Sequence, residues 1–191
     1  MKGEGQTMLN DKIIIAGFGG QGVLRIGQMI AYAGLDEGRE VTWVPSYGSE
    51  MRGGTANCSV IVSERIIASP AISSPDVAIV MNRPSLIKFE KTVTPGGKLI
   101  INSSLIADKA QRDDINVYYI PANDMALADG NDRGANMVAL GAYVALTGDV
   151  KLQSLCDIVD RTFTGRKQKF AASNKRLLQA GFDYIGQHYG N

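Results

Sequence analysis

The sequence is poor in the residue types that build metal and redox centres. It contains two cysteines, Cys58 and Cys156, and one histidine, His188, among 191 residues. Iron–sulfur clusters and structural zinc sites need sets of closely spaced thiolate or imidazole ligands, and no C-x-x-C pair occurs. We therefore expect no metal or cluster held by this chain alone. Cysteines far apart in sequence are also typical of a reducing compartment, which predicts a cytoplasmic protein.

Long apolar runs and an excess of one charge are lacking as well. The longest apolar runs, such as residues 77–81, are far too short to span a bilayer, and residues 1–10 lack the apolar segment of a signal peptide. The formal net charge is +1, so binding to nucleic acid or to a membrane surface is not expected. We predict a flexible tail over residues 1–10 and a single domain over residues 11–191.

Charge is nevertheless distributed unevenly along the chain. From Lys151 onward there are 7 basic and 3 acidic residues, a balance of +4, whereas the preceding part has 13 basic and 16 acidic residues, a balance of −3. The run R-K-Q-K at residues 166–169 is the densest basic segment. It is expected to face solvent or an acidic partner subunit.

Strand and helix patterns follow one another along the chain. Short β-branched and apolar runs predict strands over residues 12–16, 40–44, 55–62, 76–81, 98–102 and 117–120. Helical spacing predicts helices over residues 22–37, 124–128, 135–146, 152–163 and 167–188. This order predicts an α/β fold: a Rossmann-like, mostly parallel sheet flanked by helices, with a C-terminal helical part. The first strand, first helix and second strand read as one βαβ unit.

A glycine-rich loop follows the first predicted strand and opens the first helix. Gly17, Gly19, Gly20, Gln21 and Gly22 belong to the sequence G-F-G-G-Q-G, which fits the pattern G-x-G-x-x-G. Such a loop presents backbone N–H groups that can hold a phosphate, or it only lets strand and helix pack closely. A nicotinamide cofactor is disfavoured, because the second strand ends in V-P-S without the carboxylate that binds a ribose hydroxyl.

A second polar cluster follows the second predicted strand. It contains Tyr47, Glu50, Arg52, Gly53 and Gly54 within the sequence S-Y-G-S-E-M-R-G-G. Open α/β sheets bind ligands at the carboxyl ends of their strands, and the forked guanidinium of Arg52 matches a carboxylate or a phosphate. The alternative is a surface turn with an internal Glu–Arg pair, which contributes little stability.

Together the two motifs resemble the gamma subunit of 2-oxoacid:ferredoxin (acceptor) oxidoreductases, a family that includes the pyruvate, 2-oxoglutarate and branched-chain 2-oxoacid enzymes. The resemblance runs from about residue 12 to residue 187 and includes A-N-M-V-A-L-G, which contains Asn136. It implies oxidative decarboxylation of a 2-oxoacid with coenzyme A, passing electrons to ferredoxin. It also implies that thiamine diphosphate, Mg and iron–sulfur clusters belong to partners, namely large thiamine-binding subunits and a ferredoxin-like subunit.

Three functions stay open on these observations. The first is a subunit that completes such a multisubunit complex, is inactive alone and forms a homodimer if expressed without partners, with 2-oxoglutarate slightly favoured as substrate. The second is an independent nucleotide- or phosphate-binding Rossmann-like module, and the third is a NAD-dependent dehydrogenase. No catalytic residue is predicted. The candidate cofactor-contacting residues are Gly17, Gly19, Gly20, Gln21, Gly22, Tyr47, Glu50, Arg52, Gly53, Gly54 and Asn136.

Overall fold

The computed structural model describes residues 9–47 and 55–190, which form a six-stranded sheet with helices on both faces. The strands are β1 (Asn10–Phe18), β2 (Glu40–Tyr47), β3 (Thr55–Ser63), β4 (Val77–Val80), β5 (Lys98–Asn102) and β6 (Asn116–Ile120). The α-helices are α1 (Val23–Asp36), α2 (Arg83–Phe89), α3 (Ala122–Ala128), α4 (Ala135–Thr147), α5 (Leu152–Thr162) and α6 (Ala171–Tyr189). Short 3₁₀ helices span Glu90–Thr92 and Gly165–Phe170. The predicted α/β fold with a C-terminal helical part is confirmed.

The sheet is mixed, with strand order β2-β3-β1-β4-β5-β6. The strands β1, β4, β5 and β6 pair in parallel, whereas β3 is antiparallel to both β1 and β2. The two strands of the predicted βαβ unit are therefore not neighbours, because β3 folds back from β2 and inserts beside β1. This central position also explains why residues 60–63 of β3 are buried without interruption, although one buried face was expected.

Alternate side chains of β1 enter two separate apolar layers. Ile13 and Ile15 pack with α1, α4 and α6 on one face, whereas Ile14 and Ala16 pack with α2 on the other. The chain thus leaves β1 through α1 on one face and leaves β4 through α2 on the opposite face. Such a reversal is a topological switch point, which opens a crevice at the carboxyl ends of the two strands.

Several elements differ from the sequence-based expectation, and β2 runs through Tyr47, three residues beyond its predicted end. β1 begins at Asn10, inside the predicted tail, and the backbone N–H of Glu64 bonds to the carbonyl of Leu9 at 3.0 Å. The last helix begins at Ala171, after a 3₁₀ helix, instead of at residue 167. Helix α2 was not predicted at all, although Asn82 caps it and a proline lies in its first turn, which is an ordinary start signal. None of the helices among the described residues is long and apolar enough to cross a membrane.

Two neighbouring carboxyls, the buried Asp149 and the half-buried Asp11, tie β1 to the loop after α4, at the end of the sheet opposite the switch point. Asp149 is 2% exposed, accepts a short hydrogen bond from the hydroxyl of Tyr143, and shares a side-chain hydrogen bond with Asp11. Burial, followed by the neighbouring Asp11 carboxyl, raises the pKa of Asp149 to about 7. Burial raises the pKa of Asp11, the hydrogen bond with Asp149 lowers it and the carboxyl of Asp76 raises it, and Lys98 lowers the pKa of both Asp11 and Asp149.

This pair should make the folded state less stable as the pH rises. An Asp whose pKa is raised in the folded state stabilises it fully below its unfolded pKa, and this contribution is lost as the pH passes the folded pKa. We expect the Tm to fall by several degrees between about pH 4 and pH 7, and Asp149→Asn to flatten this dependence. Thermal unfolding across that range measures it, with the exposed Asp183→Asn as control. An equal slope in both variants would contradict the assignment.

Candidate functional site

The glycine loop occupies the switch point at the end of β1. Gly20 and Gly22 have φ angles of 98° and 75°, a left-handed backbone that favours glycine. Gly22 is the N-cap residue of α1, which has no side-chain cap and no acidic residue in its first turn. The positive end of the helix dipole and its unbonded N–H groups therefore stay available for an anion.

Gln21 fixes the loop to the neighbouring strand instead of reaching outward. Its Oε1 accepts a hydrogen bond from the N–H of Phe18 at 2.6 Å, and its Nε2 donates to the carbonyl of Met81 at 2.9 Å. Met81 directly follows β4, and its own N–H bonds to the carbonyl of Ala16 at 2.8 Å. Both polar atoms of the Gln21 side chain are thus used within the protein. Gln21 therefore fixes the position of the loop, and its predicted contact with a ligand stays a prediction.

Two glycines of the loop pack against neighbouring side chains, and a third faces open space. A Cβ on Gly17 would lie 2.7 Å from Gln21 Oε1, and a Cβ on Gly22 would lie 2.6 Å from Asn136 Nδ2. Gly17 and Gly22 are therefore glycines because neighbouring side chains pack against them. Asn136, in the first turn of α4 and 7% exposed, lies directly beside Gly22, so the structure brings this predicted residue to the loop. A Cβ on Gly20 would meet no atom within 4 Å, which leaves that side of the loop open.

The two sequence motifs meet at the same end of the sheet. Gly17 in β1 and Tyr47 in β2 both pair with Ala56 of β3, from opposite sides. With one strand between them, their backbones are about 10 Å apart. The side chain of Tyr47, together with Glu50, Arg52, Gly53 and Gly54, lies outside the described residues, so their contacts stay predictions.

On the other side of the crevice, two asparagines were missed by the sequence analysis. Asn82 follows β4, and its Oδ1 accepts a hydrogen bond from the N–H of Ser85 at 2.9 Å. Asn102 ends β5, and its Nδ2 donates to Asn123 Oδ1 at 2.7 Å. The second polar atom of each, Asn82 Nδ2 and Asn102 Oδ1, is buried without a hydrogen-bond partner. The signal that was available for Asn82 is the following Arg-Pro pair, which indicates a helix start after a core strand.

The two acidic residues nearest to the second strand, Asp36 and Glu37, form contacts away from the glycine loop and do not lie where a dinucleotide site would need a carboxylate. Asp36 forms an ion pair with Arg161, and Glu37 Oε1 accepts a hydrogen bond from the N–H of Lys151 at 2.7 Å. Both carboxylates lie at the C-terminal end of α1, away from the glycine loop. Residues 9–47 and 55–190 contain no group of three or more His, Cys, Asp or Glu side chains that could hold a metal ion. Cys58 is buried and Cys156 is half-buried, and both are free thiols.

The sequence and fold match proteins of known activity. A family model described as pyruvate ferredoxin/flavodoxin oxidoreductase matches residues 12–184. The chain belongs to this family. Ketoisovalerate oxidoreductase subunit VorA of Methanothermobacter marburgensis is 39% identical over 175 residues, covering 91% of this chain and 36% of that protein. The 2-oxoglutarate synthase subunit KorC of the same organism is 30% identical over 185 residues, covering 93% of this chain and 97% of that protein.

A solved structure agrees with these sequence matches. The gamma subunit of a keto/oxoacid ferredoxin oxidoreductase from Geobacter sulfurreducens has a TM-score of 0.76 and 28% identity, covering 91% of this chain and 96% of that chain. The resemblance to gamma subunits of this family is therefore confirmed. This chain spans about a third of the VorA relative, and the relatives are named for different 2-oxoacids. The preference for 2-oxoglutarate consequently has no support.

Proposed function

We propose that this chain is the gamma-type subunit of a cytoplasmic 2-oxoacid:ferredoxin oxidoreductase. The observation that carries the proposal is its nearly end-to-end match to KorC, a subunit of 2-oxoglutarate synthase, with 97% of that protein covered. The match spans the α/β domain with its glycine loop, so the proposed role is that of the KorC-type subunit. The complex would convert a 2-oxoacid and coenzyme A to an acyl-CoA and CO₂, with two electrons passing to ferredoxin.

The chain would complete the assembly and leave the redox chemistry to its partners. Thiamine diphosphate and its Mg are assigned to the large subunits, and the iron–sulfur clusters to a ferredoxin-like subunit. The scarcity of ligands supports this division, since a chain with two distant cysteines and one histidine cannot provide the thiolates of a cluster. Without its partner subunits, the chain is expected to be inactive. It is also expected to form a homodimer through the apolar surface that the partner subunits would cover.

Coenzyme A is the ligand that fits the predicted site. Its phosphates match the uncapped N-terminus of α1 beside the open side of Gly20, and Arg52 follows Tyr47, the last residue of β2, in the sequence. The described side chains named at this crevice belong to Gln21 and to three asparagines. Amide side chains act neither as general bases nor as nucleophiles. The site would therefore bind and orient coenzyme A, and the reacting groups would come from the large subunits.

Arg52→Ala in the reconstituted complex tests this assignment of coenzyme A. We expect the Kd for coenzyme A to rise about tenfold or more, because a charge-assisted hydrogen bond to phosphate is lost. Isothermal titration measures the Kd, and Lys88→Ala on the exposed surface of α2 serves as control. Unchanged affinity in the Arg52 variant would remove Arg52 from the site without affecting the subunit assignment.

An independent nucleotide- or phosphate-binding module is the alternative that the same loop leaves open. Reconstitution separates the two functions. Large and ferredoxin-like subunits prepared without this chain should lack coenzyme A-dependent reduction of methyl viologen, and adding the chain should restore it. Full activity without the chain would favour the independent module.

A further inference from the structure

The 3₁₀ helix Gly165–Phe170, here called the basic turn, carries three cations and no acidic residue. All residues from 164 to 170 are exposed, and none is packed into the core. Within the described residues Arg166 and Lys167 form no ion pair, and Lys169 lies 5.1 Å above the ring of its neighbour Phe170. Phe170 itself is 43% exposed.

The surroundings of the basic turn do not neutralise it. The cations on the flanking helices already have partners: Arg161 pairs with Asp36, Lys175 with Asp160, and Arg176 with Asp129. The three cations of the turn therefore account for most of the +4 balance after residue 150. They form a concentrated positive patch in a chain whose net charge is only +1.

The arrangement is unfavourable for the chain alone. In a 3₁₀ helix side chains three residues apart are eclipsed, which places Arg166 and Lys169 on one side with Lys167 nearby. Like charges at this spacing repel each other. The exposed apolar surface of the Phe170 ring would be stabilised by removal from water. An opposing acidic surface would remove the repulsion and cover the ring.

We propose that the basic turn docks on an acidic surface of another protein subunit of the complex. This inference rests on the proposed function. All residues of the turn are exposed, whereas small-molecule sites are concave and enclose most of their ligand, so a protein surface fits the turn better than a free ligand does. Arginine and exposed aromatic residues are also enriched where proteins meet, and charge complementarity there guides association.

The basic turn leads directly into α6. The first turn of α6 accepts hydrogen bonds from Asn131 Nδ2 at Ser173 Oγ and Asn174 Oδ1, at 3.0 and 3.1 Å. Asn131 lies in the loop that leads into α4, so these bonds fix the start of α6 to that loop. A subunit bound to the basic turn would therefore lie on the side of the sheet that carries α4 and α6.

Charge reversal at Arg166→Glu, Lys167→Glu and Lys169→Glu tests the docking. The matched control reverses three exposed cations on the opposite sheet face, Lys88, Lys91 and Lys109. Biolayer interferometry would measure binding of each chain to the immobilised large and ferredoxin-like subunits of the same enzyme, at about 50 and 300 mM NaCl. We expect the turn variant to bind about tenfold or more weakly at low salt with a smaller salt dependence, and the control to bind within about twofold of the unaltered chain.

Equal affinity of the turn variant and the control, with matching Tm values, would overturn the docking. Loss of binding to a short duplex DNA with unchanged subunit binding would also overturn it, since the patch would then serve nucleic acid. Failure of the proposed function looks different, because the unaltered chain itself would then not bind the other subunits.

Discussion

Replacing Gly141 with alanine should lower the free energy of unfolding by about 3 kcal/mol or more, because α4 and α6 touch there through their backbones. A Cβ on Gly141 would lie 1.9 Å from the carbonyl oxygen of Leu178, and a Cβ on Gly181 would lie 2.0 Å from the carbonyl oxygen of Val138. These are main-chain atoms of helices in the core, so no side-chain rotation relieves the overlap. The two helices would have to separate along their contact.

Chemical denaturation of Gly141→Ala and Gly181→Ala measures this effect. The control lies on the same helix: a Cβ on Gly186 would meet no atom within 4 Å. Gly186→Ala should therefore stabilise the protein by about 0.5–1 kcal/mol, as alanine does at an open helix position. If all three variants unfold at the same denaturant concentration, the close helix crossing is wrong. A loss confined to Gly141 and Gly181 would establish the crossing as a requirement of the fold.

Replacing Gln21 with alanine should release the glycine loop from β4 and weaken coenzyme A binding in the complex. Two hydrogen bonds are removed, and the carbonyl of Met81 and the N–H of Phe18 lose their partners. We expect the KM for coenzyme A to rise about tenfold while kcat changes little, because a positioning residue affects binding more than the chemical step. The free energy of unfolding should fall by about 1–3 kcal/mol.

Steady-state assays with coenzyme A as the varied substrate test the role of Gln21. Gln28→Ala in α1, the helix that follows the loop, is the control, since the side chain of Gln28 forms no hydrogen bond among the described residues. Gln21→Glu adds a second comparison, because a carboxylate can still accept from the N–H of Phe18 but cannot donate to Met81. A KM unchanged in both Gln21 variants would contradict the positioning role, even if their stability is reduced.

The element types were predictable because local patterns determine them. The alanine-rich segment located α4 to within one residue, and β5 was predicted to the residue, whereas the apolar run located β1 but the strand extends two residues further at each end. The position of β3 was not predictable, since its alternating start at Thr55 is equally compatible with an edge strand. Its neighbours are set by long-range pairing, and sequence spacing carries no information about which strand inserts beside β1.

The position of the glycine loop was predictable, but the contacts of its residues were less so. The pattern G-x-G-x-x-G located the switch point correctly, since glycine spacing reflects backbone geometry. It gave Gln21 and Gly17 the same role as Gly20, although Gln21 bonds inward and Gly17 is packed. The contact of Asn136 with Gly22 joins residues more than a hundred positions apart, and only the tertiary packing of α1 against α4 reveals it.

Isolation of the affinity-tagged chain from its native lysate at mild salt, with methyl viologen reduction assayed against several 2-oxoacids, tests the central claim most directly. The account predicts that large thiamine-binding subunits and a ferredoxin-like subunit co-purify in fixed proportion. It also predicts that reduction requires coenzyme A and one class of 2-oxoacid, which would identify the substrate. A chain that elutes as a monomer or self-dimer, without partners and without such activity, would contradict the account.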